Sequence, residues 1–132
     1  MEINEFNRLV FEKYYDNLRF DQTMLDLLNR VKEEISCIAA LSNISIIFEE
    51  VVKQKFPPGF YYSFRKLFFS YQMGYMKPQE EIYLEMIRDL GIPPGYITFI
   101  DDREENVKAA QDLGIYGILF TGVDDLRKKI LS

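Results

Sequence analysis

The sequence predicts an α/β fold with a parallel sheet, and three observations carry that prediction. Short, continuous apolar runs at residues 37–41, 66–70, 96–100 and 116–120 have the length and composition of strands. Segments with apolar residues at helical spacing alternate with them. Glycine and proline clusters punctuate the joins. Unbroken rather than alternating apolar strands read as buried on both faces, and strand–helix alternation implies parallel pairing through right-handed crossovers.

Taken in order, residues 2–16 read as a helix, because Phe6, Leu9, Val10, Lys13 and Tyr14 recur at helical spacing. A second helix runs from Thr23 to about Glu34, its buried stripe being Met24, Leu27, Leu28 and Val31, with Asp21 and Thr23 both able to cap it. Residues 37–41 form the first strand and end in Ser42-Asn43, after which a helix begins at Ser45 and closes near Lys55. Phe56-Pro57-Pro58-Gly59 is a break. The aromatic residues Phe60, Tyr61, Tyr62 and Phe64 fit either a further helix or a packed loop. Residues 66–70 are the second strand and 71–76 a loop containing Gly74. Pro78 suits the first turn of a helix that continues from Glu80 to Leu90, with Ile82, Tyr83, Met86, Ile87 and Leu90 inward and Gly91 as its stop. The third strand leads into Asp101-Asp102. A helix from about Arg103 to Leu113 follows, stopped by Gly114, then a fourth strand and a closing helix from Asp124 to Leu131.

With 132 residues and a net charge of -5, the chain has the size of one domain and lacks the basic excess of a nucleic-acid binder. It has no histidine, which removes Ser-His-Asp catalysis, histidine metal sites and histidine acid–base work together. The single cysteine, Cys37, excludes an internal disulfide and reads as a small buried hydrophobe. No apolar run approaches the about 20 residues of a membrane span, and the first residues do not read as a signal peptide. A cytoplasmic, non-membrane protein is the expectation.

The most informative stretch is Asp101-Asp102 at the end of an apolar strand. Ligand chemistry in parallel sheets gathers at the carboxyl ends of strands, and two acids there are placed to hold a hard cation such as Mg2+. Asp102 also fits a helix cap, since Asp102-Arg103-Glu104-Glu105 resembles a capping box. That role needs one acid and leaves Asp101 over. Ser42 follows the first strand and Lys77 lies in the loop after the second, so the topology assigns all of these residues to one sheet edge. A hydroxyl, an ammonium and two carboxylates are the makings of a phosphate site.

From Ile38 onward the chain resembles the haloacid dehalogenase-like (HAD) superfamily, in particular its phosphatase-type members with a helical cap. Ala40-Leu41-Ser42-Asn43 is similar to the family's second motif, and the segment Phe69 to Pro78, containing Lys77, to its third. Phe99-Ile100-Asp101-Asp102, with Glu105-Asn106-Val107 and Leu113-Gly114 behind it, is similar to the fourth. The resemblance implies a HAD-like Rossmannoid core over residues 36–132, preceded by a cap remnant and return helix over 1–35. It implies Mg2+-dependent hydrolysis of a small phosphorylated metabolite. Ser42, Asn43 and Lys77 would bind the phosphoryl group, Lys77 would also steady a carboxylate nucleophile, and Asp101 and Asp102 would hold the metal.

One element of the family pattern is missing. The first motif, Asp-x-Asp on a central strand, does not occur in this sequence. Phe20-Asp21-Gln22-Thr23 lacks the second acid and follows no strand. If the chain is complete, it lacks its nucleophile and the strand between those of Ser42 and Asp101, so turnover by it alone is not expected. The resemblance then leaves a non-catalytic binding or assembly module, or a fragment of a longer hydrolase. Unpaired apolar strand edges are a hazard, so either the two flanking strands close up, or a homo-oligomer or another segment fills the gap.

Overall fold

The computed structural model describes residues 8, 12, 15, 16, 18 and 21–131. Most of the helix expected at 2–16 lies outside the described residues. In chain order the elements are helix α1 (Gln22–Val31), strand β1 (Ala39–Ser42), helix α2 (Ile46–Lys55), a 3-10 turn (Phe60–Ser63), strand β2 (Lys66–Phe69) and a short helix α3 (Ser70–Met73). Helix α4 (Glu80–Leu90), a 3-10 turn (Pro94–Tyr96), strand β3 (Thr98–Asp101), helix α5 (Glu104–Asp112), strand β4 (Tyr116–Leu119) and helix α6 (Val123–Ile130) follow. The alternation expected from the sequence is therefore present, and all strand pairing among the described residues is parallel. None of the helices among the described residues is long and apolar enough to cross a membrane.

The chain divides into two compact units, Met1–Tyr71 and Gln72–Ser132. In the first, β1 pairs with β2 in the register Ala39↔Lys66 to Ser42↔Phe69. Helix α1 is capped by Asp21, whose carboxylate accepts from the N–H groups of Thr23 and Met24. Thr23, the other candidate cap, instead donates its hydroxyl to Asp21 at 2.6 Å. Ser45 caps α2 by accepting from the Phe48 N–H. Ile44, Val52 and Phe69 form a buried cluster against which Phe48, Phe56, Phe60, Tyr61 and Leu67 pack. The ambiguous aromatic segment is thus a single 3-10 turn that delivers rings to this core.

In the second unit β3 pairs with β4 from Thr98↔Tyr116 to Asp101↔Leu119, and α5 packs on both strands. The packing is close because Gly117 has no side chain. A Cβ there would stand 2.8 Å from Val107 Cγ1 and 2.9 Å from Gln111 Cγ. Tyr83, with no exposed surface, meets Phe99 edge-on at 5.6 Å between ring centroids. Helix α4 ends at Gly91 in the left-handed conformation, φ 66°, a geometry that favours glycine.

Several expectations are corrected. The loop expected at 71–76 begins as helix α3, and Ser70, expected to end the second strand, is that helix's first residue. Pro78 is not in a helix. It follows a cis Lys77–Pro78 bond in a turn, and α4 begins only after Gln79. Strand β3 is not buried on both faces. Phe99 and Asp101 are buried, whereas Thr98 and Ile100 are exposed. Helix α5 packs on this pair of strands, and among the described residues the strands form two two-stranded sheets in which β3 has β4 as its sole partner.

Candidate active site

Asp101 is the last residue of β3, and strand alternation turns its side chain to the same buried face as Phe99. Its Oδ2 accepts from Lys77 Nζ at 2.7 Å. The Lys77 side chain is only 10% exposed and that of Asp101 6%, so this is a buried ion pair. Oδ1 accepts from the Arg103 backbone N–H at 2.8 Å and from the Asn106 side-chain amide at 3.2 Å. Burial pushes the Asp101 carboxyl up, but the hydrogen bonds from Lys77, Arg103 and Asn106 outweigh it, and the group is held below its ordinary value. Asp101 is therefore a carboxylate.

Asp102 lies just past the end of β3. It is exposed and makes no side-chain hydrogen bond or ion pair among the described residues. The expected helix cap is not formed by Asp102: the N-cap of α5 is Arg103, whose own side chain makes no capping bond. It is Asp101 that takes the Arg103 N–H. Asp101 turns inward at the end of β3 and reaches the Arg103 N–H two residues on, while Asp102, outside the strand, stays exposed.

Two further residues build this site from inside the unit. Asn106, 3% exposed, lies in the first turn of α5. Its backbone carbonyl accepts from the Tyr83 hydroxyl at 2.8 Å. The sequence puts Tyr83 on an inner helix face and Asn106 in the stretch similar to the fourth motif, and assigns neither a role in the site. The available signal is an asparagine set into the inward stripe Asn106, Val107 and Ala110, where an apolar residue would be routine.

In the first unit, Ser42 ends β1 and Asn43 is exposed just beyond it. The backbone after them is anchored by Ser70, whose Oγ accepts from the Ile44 N–H at 2.9 Å and donates to the Ile44 carbonyl at 3.2 Å. The next residue, Tyr71, donates its hydroxyl to Glu49 Oε1 at 2.6 Å. Glu49 is buried on α2 and also meets Lys53 at 2.8 Å. Consecutive residues after β2 thus tie down the segment that follows β1. Within each unit the residues singled out in the sequence lie at or beyond a strand's carboxyl end, and Lys77 and Asp101 are brought into direct contact.

Comparison with known proteins shows the family. The pattern of the haloacid dehalogenase-like hydrolase family matches residues 3–114. The chain belongs to the haloacid dehalogenase-like hydrolases. It is 35% identical over 107 residues to flavin mononucleotide hydrolase 1 of Arabidopsis thaliana, covering 81% of this chain and 42% of that protein. A 49-residue segment, 37% of this chain and 24% of the relative, is 41% identical to D-ribitol-5-phosphate phosphatase of Bacteroides thetaiotaomicron. The crystal structure of a HAD family enzyme from that bacterium, in a magnesium complex, superposes with a TM-score of 0.79 at 31% identity, covering 86% of this chain and 59% of that one. The same enzyme has also been crystallised with magnesium and inorganic phosphate; there the TM-score is 0.73 and the identity 34%, over 77% of this chain and 53% of that one. The chain thus spans about half the length of the HAD relatives that it matches over most of its own length.

Proposed function

We propose that the chain carries the phosphoryl-binding and metal-binding part of a Mg2+-dependent HAD phosphatase acting on a small phosphorylated metabolite. The observation that carries this reading is the buried Lys77–Asp101 pair at the carboxyl end of β3, with the exposed Asp102 beside it. Support comes from the phosphatase-type relatives and from the magnesium and phosphate complexes of the Bacteroides enzyme.

The donor set suits the metal. Mg2+ is usually bound through one or two carboxylates, with waters and substrate phosphate completing its octahedron, and Asp101 and Asp102 are two hard oxygen donors. Among the described residues no third acid joins them in a cluster. When bound, Mg2+ would supply Lewis-acid polarisation of the phosphoryl oxygens. Lys77 neutralises phosphoryl charge and, through its pair with Asp101, is held out of bulk water where that charge counts for more. Ser42 offers a hydroxyl donor, with Asn43 beside it. The chain contains no Asp-x-Asp, so the covalent step is not assigned to any of its residues. Residues 1–35 are retained as a cap remnant.

A second reading is a non-catalytic HAD-like binding or assembly module, which the uncovered strand edges favour. Under either, β1 and β3 each have one edge without a ladder among the described residues. Two-stranded sheets are marginal alone, so a second copy or another segment is proposed to cover those edges. Light scattering of the purified protein checks this, and a monomer with rapidly exchanging β1 and β3 amides would refute it.

The protein and its Asp101→Ala variant are incubated with Mg2+ and a panel of phosphorylated metabolites. Phosphate release lost in the variant establishes the phosphatase. Mg2+-dependent phosphate binding without release establishes the module. Neither binding nor release sinks the phosphoryl reading.

A further inference from the structure

The hydrogen bonds around Asp101 are unevenly divided between its two oxygens. Oδ1 accepts twice, from the Arg103 N–H and the Asn106 amide, and Oδ2 accepts once, from Lys77. A carboxylate oxygen has two lone-pair positions, so Oδ1 is saturated by the protein and Oδ2 retains one. The arrangement is rigid. Asn106 is buried, its backbone carbonyl is bound by the Tyr83 hydroxyl, and Tyr83 is itself enclosed against Phe99.

We propose that Asn106 is a positioning residue that closes Oδ1 to metal and presents Asp101 as a one-oxygen ligand, selecting Mg2+ over Ca2+. The proposal rests on the Mg2+ reading above and adds to it the source of cation selectivity. Mg2+ demands a compact octahedron at 2.0–2.1 Å, for which a single carboxylate oxygen suffices. Ca2+ takes six to eight oxygens and readily uses a carboxylate through both. Holding Oδ1 in hydrogen bonds withholds the second oxygen from the larger ion and leaves the smaller one unaffected. The Arg103 N–H is backbone and is present whatever the side chains are; the Asn106 amide is the contact a substitution can remove.

The test titrates MgCl2 and CaCl2 separately into the protein and follows the backbone amide shifts of Asp101, Asp102 and Arg103. Asn106→Ala, and the similarly sized apolar Asn106→Leu should the first not fold, are compared with the wild type. The expected result is a fall of about tenfold in the Mg2+:Ca2+ affinity ratio, the scale on which residues behind metal ligands act. Leu126→Ala, a truncation of a buried side chain on α6, serves as the structural control, with lower stability expected and an unchanged ratio. An unchanged ratio in the Asn106 variants, or an equal change in Leu126→Ala, overturns the proposal while leaving the metal reading intact. Absence of any shift at these three amides in the wild type with either ion overturns the metal reading, and this inference with it.

Discussion

Lys77 Nζ and Asp101 Oδ2 stand 2.7 Å apart, 24 residues apart in sequence and nearly excluded from water. Removing one partner of such a pair leaves an uncompensated buried charge. Lys77→Met is expected to cost about 3 kcal/mol, read by urea denaturation. The double variant Lys77→Met/Asp101→Asn should be less destabilised than the sum of the singles by about 1 kcal/mol. Strict additivity would show that the pair contributes no coupling.

Gly117 sets the distance between β4 and α5. Gly117→Ala places a methyl 2.8 Å from Val107 Cγ1, and because Val107 is buried it has little room to yield. The expected loss is about 1–3 kcal/mol, typical of overpacking. Adding Val107→Ala should bring the double variant below the sum of the two. A neutral Gly117→Ala would mean that the helix moves freely over the strand.

Ser70 anchors the backbone just after Ser42 and Asn43. Ser70→Ala strips the buried Ile44 N–H of the hydroxyl it donates to, an expected cost of about 1–3 kcal/mol. Hydrogen exchange at the Ile44 amide should accelerate more than exchange at other amides of the first unit. Unchanged Ile44 protection would show that Ser70 does not hold this segment.

Tyr83 predicts an alkaline limit. Burial pushes its hydroxyl up to about 12, and the Asp101 charge adds in the same direction. An unfolded tyrosine ionises near 10. The folded state therefore keeps a proton that the unfolded state releases. The contribution is complete below pH 10 and is lost as pH rises toward 12. Denaturant midpoints measured from pH 8 upward should fall more gently in Tyr83→Phe than in the wild type. Parallel curves would refute the assignment.

Much of the architecture was legible because it is local. Apolar runs, the caps Asp21 and Ser45, and the stop at Gly91 each act within a few residues, and the elements began and ended close to where these signals stand. Legibility failed where a side chain had a choice of partners. Asp102 looked like a cap, yet the Arg103 N–H went to Asp101. Ser70 looked like the end of a strand, yet it starts α3 and bonds across to Ile44. Asn106 stood only within the stretch similar to the fourth motif and Tyr83 on an inner helix face, until contacts joined Asn106 to Asp101 and Tyr83 to Asn106.

By itself the amino-acid order determined the alternation of strands and helices, the family resemblance, and the presence of two acids at one strand end. These follow from patterns of period two and 3.6 and from residue types in series. Only the tertiary structure decided that Asp101 and Asp102 are unlike. One is enclosed and holds Lys77, Arg103 and Asn106, while the other is left exposed. The physical reason is that an acid becomes a built site only when donors distant in sequence are folded around it, and burial makes those donors obligatory.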